Sequence, residues 1–218
     1  MSMAVGLSTF LSAAAAYMVL RYFLKWPAGC NWGFLAGVIL MMIGVNHAIM
    51  NAQCGKVDAG TLWTATLVPW VVMFGTILAV LQMFPGWLQP FSNTFGYMIA
   101  LIAGGKGKLL AILKQDGSDP LKWIVDDPGL LINQFSMVNF DQTLKSLEAV
   151  LVPGANVEPF KDIVRLKELV AEYVWFALVG IMALTTSYNI LVNYKCTVKG
   201  DPPPEPPPDA TREYDVDE

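Results

Sequence analysis

The chain has 218 residues, of which 55% are hydrophobic and 15% charged, with a formal net charge of −4. Soluble domains carry closer to a quarter charged residues, so this composition argues against a water-soluble globule. One histidine and three dispersed cysteines leave no metal cluster. No glycine-rich phosphate loop and no nucleophile–base pairing is present, so the chain reads as neither an enzyme nor a cofactor carrier, with no small-molecule substrate.

The charges are unevenly placed. Residues 1–105 hold four, Arg21, Lys25, Lys56 and Asp58, and the 47 residues from Ala59 to Gly105 hold none. So bare a stretch suits lipid, and residues 1–105 read as a transmembrane region of three spans plus a short or re-entrant fourth. The first span covers residues 3–24. Its start imitates a signal peptide, but no basic residue precedes the apolar run, so it reads as an uncleaved span. Arg21 and Lys25 close it, with side chains able to snorkel to headgroups, and Trp26 marks the interface.

The second span covers residues 31–51. Gly29, Gly33 and Gly37 recur every fourth position, and the first span answers with Ala4, Ser8, Ser12 and Ala16. Small residues at this spacing let helix backbones approach closely in lipid, so both faces are expected to pack against a helix of this chain or of another. His47, with Asn46 before it, reads as a hydrogen-bonded polar group near the interface. A proton path needs further ionisable groups in the spans, and only Glu172, at a span boundary, is available. The third span covers residues 62–84, with a kink expected at Pro69.

Residues 84–97, FPGWLQPFSNTFGY, carry Pro85, Gly86, Pro90 and Ser92-Asn93-Thr94, which predict a non-helical break. The apolar run that follows is short, so residues 87–104 either cross as a short fourth span or enter and return.

Residues 106–168 carry eight basic and nine acidic residues and form an extramembrane amphipathic block. Turns are expected at Asp116–Pro120 and at Asp126–Gly129. A short amphipathic helix is expected from Asp141 as its cap, with Leu144, Leu147 and Leu151 on one face. Another starts at Pro159 and meets no breaker before the apolar run 169–193. One long helix is therefore expected, with a wet stem and a membrane-spanning upper part. Lys106, Lys108 and Lys114 favour the cytosolic side for the block, more as a headgroup anchor than a nucleic-acid site. Arg21 and Lys25 agree with that side only if the fourth segment returns.

The segment 194–218 is acidic, with three basic and seven acidic residues, and contains DPPPEPPPD. Pro202, Pro203, Pro204, Pro206, Pro207 and Pro208 predict an extended polyproline strap that lies on another protein. Cys30, Cys54 and Cys196 read as three free thiols, since Cys30 and Cys54 flank one span and face opposite sides.

The expected fold is an all-α integral membrane protein. It is a bundle of four to five transmembrane segments with a small extramembrane helical block and an extended Pro-rich tail. The stretch PWVVMFGTILAVLQMFPGWLQPFSNTFGY, residues 69–97, resembles multi-span membrane proteins of nucleocytoplasmic large DNA viruses, through FPGW followed by PFSNTFGY. The resemblance covers about an eighth of the chain. It implies a structural component of a virion's internal membrane beneath an icosahedral capsid, possessing as partners the bilayer and other membrane or capsid proteins. A channel or small transporter subunit is the alternative, suggested by the broken helices.

Overall fold

The computed structural model describes residues 3–114 and 127–196. Among these residues all regular elements are helical, and the β structure is one isolated antiparallel bridge between Leu113 and Leu151. The chain is an all-α membrane protein with four helices long and apolar enough to cross a bilayer. The expected turn at Asp116–Pro120 and the tail prolines lie outside the described residues.

Helix α1 (Met3–Leu24) ends at Lys25, whose φ of 54° turns the chain. A 3-10 turn leads into α2 (Asn31–Cys54), which stops at Gly55 with φ 64°. Glycine suits this left-handed position, and its N–H satisfies the Asn51 carbonyl at 2.9 Å. Asp58 caps α3 (Ala59–Met83) by accepting from the Thr61 backbone N–H at 2.8 Å. Pro69 has no N–H and would strike the Ala65 carbonyl in a regular helix. The backbone absorbs it in a π-helical turn, Val68–Phe74, so the expected irregularity is local and the helix continues.

The chain breaks once in residues 84–97, at Phe84, with φ −129° and ψ 74°. From Pro85 it is helical again through a composite α4, made of Pro85–Leu88, Gln89–Phe91, Ser92–Gly96 and Tyr97–Ile102. The expected break at Pro90 and Ser92–Thr94 does not occur. Pro90 sits in a first helical turn, where its missing N–H forgoes no bond.

The block follows with α5 (Gly105–Leu110), α6 (Pro128–Ile132) and α7 (Phe140–Ser146). The predicted turn around Asp127 is the start of α6, whose cap is the Asp127 carboxylate, accepting from Gly129 N–H at 3.0 Å. Asn139, not Asp141, holds the cap position of α7, and Asp141 lies in its first turn. Helix α8 (Glu158–Val192) runs unbroken for 35 residues, the single long helix that its continuous pattern predicts.

The bundle core is aromatic. Phe10 meets Trp70 at 5.1 Å, and Phe74 meets Phe176 at 4.9 Å between ring centroids. The Phe10 ring lies on Gly180, where a Cβ would collide with it, so α1 and α8 approach at that glycine. A second core fills the block around Leu109, Leu131, Phe135, Phe140 and Phe160. Because Phe160 and Val164 of α8 belong to it, one helix threads both cores.

Helix α4 packs along the lower part of α8. The Trp175 indole N–H donates to the Trp87 carbonyl at 2.9 Å, Gly96 sits on the Lys167 backbone, and Gly105 lies beside Ile163. As residue numbers rise along α4 they fall along α8, so the segment climbs the stem away from the bundle. Lys25 pairs with Asp162 at 3.5 Å, which puts the first loop and the block on the same side. The two basic clusters therefore agree.

The reading of three free thiols is corrected. Cys54 and Cys196 form a disulfide with a Cα–Cα distance of 5.4 Å, and Cys30 is free. The α1–α2 turn lies beside the start of α8, so the C-terminal ends of α2 and α8 meet at the other end of the bundle, which brings the two sulfurs together.

Candidate polar interface between bundle and block

Four polar side chains meet where the spans give way to the stem. Arg21 comes from the last turn of α1, Asn31 from the first turn of α2, Tyr17 from one turn below Arg21, and Glu172 from α8. Arg21, Asn31 and Glu172 are all buried, at 6%, 2% and 7% exposure. The Arg21 guanidinium donates to Glu172 at 2.6 Å and to the Asn31 side-chain oxygen at 3.0 Å. The Asn31 amide donates to the other Glu172 oxygen, and the Tyr17 hydroxyl donates to Asn31 at 2.8 Å. A charge removed from water must be paired and fully hydrogen-bonded, and both Glu172 oxygens are engaged. Arg21 is thus not the snorkelling residue its position at the span end predicts.

One turn along α8, Lys167 is 1% exposed. Its ammonium donates to the carbonyls of Ile132 and Phe135, each at 3.0 Å, and to the Asn93 side chain at 3.3 Å. The two carbonyls lie at and just past the C-terminal end of α6, where orphan acceptors and the helix dipole favour a cation. Glu168 accepts from the Met137 N–H at 2.8 Å. Lys167 and Glu168 therefore pin the block to the stem. Asn93 belongs to the Ser92-Asn93-Thr94 segment, which has no lysine nearby in sequence but meets Lys167 in space.

The small-residue faces lie elsewhere. Ala4, Ser8, Ser12 and Ala16 are exposed on α1. A Cβ placed on Gly29, Gly33 or Gly37 would meet nothing within 4 Å. These faces do not pack on one another within the chain, because α1 turns Phe10, Ala14 and Tyr17 inward and α2 turns Leu35, Val38 and Met42 inward. The glycines that permit close approach are Gly96, Gly105, Gly129 and Gly180. His47 is exposed. Its neighbour Asn46 is the buried group, donating to Thr66 at 2.8 Å and Ser187 at 2.9 Å.

Among the described residues no three His, Cys, Asp or Glu side chains gather as a metal site. No family model matches the chain, and comparison with curated proteins and with solved structures gives no match.

Proposed function

We propose that the chain is a structural, non-catalytic membrane protein that holds other proteins to a bilayer. The observation that carries this reading is the outer face of α4. Phe95, Met98 and Ile102 repeat at helical spacing and are 53%, 61% and 81% exposed. They stand beside the stem, and an exposed apolar strip of this kind marks contact with protein or with lipid, of which this reading takes protein. Lys167 joins the stem both to the block, through Ile132 and Phe135, and to the helix bearing that strip, through Asn93, which suits an anchor.

The finer reading is a component of the internal membrane of a large DNA virus, linking it to the capsid. It is supported by the resemblance of residues 69–97. On this reading the strip and the tail prolines Pro202–Pro208 engage neighbouring membrane or capsid proteins. The test is mass spectrometry of gradient-purified virions, with Ile102→Glu as the probe variant. The chain should be stoichiometrically present, and the variant should fold yet be depleted from particles. Absence from virions overturns the viral reading, and undiminished incorporation of the variant overturns the docking role of the strip. Ion flux from the purified chain in planar bilayers would instead favour the channel reading.

A further inference from the structure

A cleft of about 580 Å³ opens between the α1–α2 turn, the start of α4 and the block. Its walls carry three cations, Arg21, Lys25 and Arg165, and two carboxylates, Glu168 and Glu172. Both Glu172 oxygens are taken, by Arg21 and Asn31, and one Glu168 oxygen accepts from the Met137 N–H. The arginines are not saturated. Arg21 is 6% exposed, and its Nε is buried without a hydrogen-bond partner among the described residues. Arg165 Nη1 is in the same state.

A buried donor without an acceptor is rare and costly, and both of these belong to arginines that line the cleft. Guanidinium groups match phosphate oxygens in geometry and charge. The volume falls within the range of small-ligand sites, about 300–1,000 Å³. The location narrows the ligand. The cleft sits where α1 leaves the apolar region, with Trp26 on its rim, and tryptophan marks the headgroup level of a bilayer. Leu81, Leu88 and Leu169 share the lining with the cations, so an incoming group meets both charge and apolar surface.

We propose that this cleft binds the phosphate of an anionic phospholipid headgroup. Arg21, which is buried, and Arg165, which is half-buried, supply the guanidinium donors, and Lys25, paired with Asp162 at 3.5 Å, is the exposed cation of the lining. The inference does not depend on the assembly reading, and its readout is lipid selectivity rather than particle formation.

The test is native mass spectrometry of the full chain released from detergent after incubation with phosphatidylglycerol or phosphatidylcholine. The wild-type chain should retain phosphatidylglycerol about five-fold more, the ratio expected of one basic contact near a membrane surface. R165Q should lose that preference and R165K should keep it. K56Q, which removes the same charge from the loop after α2, should behave as wild type. Millimolar inorganic phosphate should not displace the lipid. Equal retention of the two lipids by the wild-type chain overturns the proposal, as does an unchanged preference in a folded R165Q. Complete displacement by inorganic phosphate overturns it too, making the cleft a soluble-anion site. If R165Q melts early, the wild-type lipid comparison and R165K still decide.

Discussion

At the block end of the bundle the buried polar groups are charged and shared among four side chains, whereas at the opposite end they are neutral and local. Arg21, Glu172, Asn31 and Tyr17 join α1, α2 and α8 in one network. At the far end Asn46, Thr66 and Ser187 join α2, α3 and α8 with two hydrogen bonds, and the Cys54–Cys196 disulfide closes the same face. The difference follows depth and water. Arg21 and Glu172 border the cleft, where water and protein together can solvate an ion pair. The Asn46 cluster lies within the spans, where an amide and two hydroxyls can be satisfied without a charge.

The sharpest way to break this contrast is to remove one ion. Glu172→Ala leaves the Arg21 guanidinium buried and uncompensated, which should cost about 3–5 kcal/mol. Replacing Arg21 and Glu172 together with Met should cost far less. Unfolding of the purified chain in micelles by a denaturant series measures both, and an equal loss in single and double variants would show that packing, not charge, holds this end.

The far end should yield next through its disulfide. The bond closes a separation of 142 residues; chain-entropy reasoning puts the ceiling for such a closure at about 5 kcal/mol, of which disulfides typically deliver about 2–4 kcal/mol. Cys54→Ser should lower the thermal transition under oxidising conditions and abolish its sensitivity to reductant. Asn46→Ala should have a smaller effect, about 0.6–1.7 kcal/mol, because hydrogen bonds between helices in lipid are modest. The same denaturant series checks it, and its effect should add to that of Glu172→Ala, as the sites share no partner.

The smallest effect concerns Asp58, in the exposed loop at the disulfide end. The Thr61 backbone N–H holds its carboxyl below the ordinary carboxylate range. A depressed folded value means that the cap stabilises α3 above the ordinary carboxylate range and that this help fades as pH falls through the folded value. The protection of amides in the first turn of α3, after correction for the intrinsic pH dependence of exchange, should therefore fall on acidification in the wild-type chain and stay flat in Asp58→Asn.

The four spans and the continuity of α8 were legible because their signals are local: charge-free length, and no breaker between Pro159 and Asn193. The polar interface was not, since its members are distant in sequence, and Glu172 is separated from its partner Arg21 by 151 positions. A signal existed all the same. An acid and a base, each placed near a predicted span end on the block side, are candidates to pair. The glycine spacing left the partner open for a related reason: spacing defines a face but not its direction, and Gly29, Gly33 and Gly37 do not pack on a helix of this chain. Residues 84–97 misled because proline and Ser-Asn-Thr were read as breakers, whereas α4 places Pro90 in a first turn and buries Ser92 against the stem. The disulfide stayed hidden because only Cys30 and Cys54 were weighed as a pair.

Helix α8 also sets a mechanical property. Its 35 residues at about 1.5 Å each make a rod of about 52 Å, while a bilayer core is about 30 Å thick. Roughly 20 Å of the same rod therefore stands clear of the hydrocarbon. There is no hinge between the two lengths, and Lys167 and Glu172 clamp it on either side of the transition. A sideways load on the block thus becomes a torque on the whole bundle instead of a local bend. The block is therefore held at a fixed distance from the bundle, as a mast stepped through a deck stands above a hull.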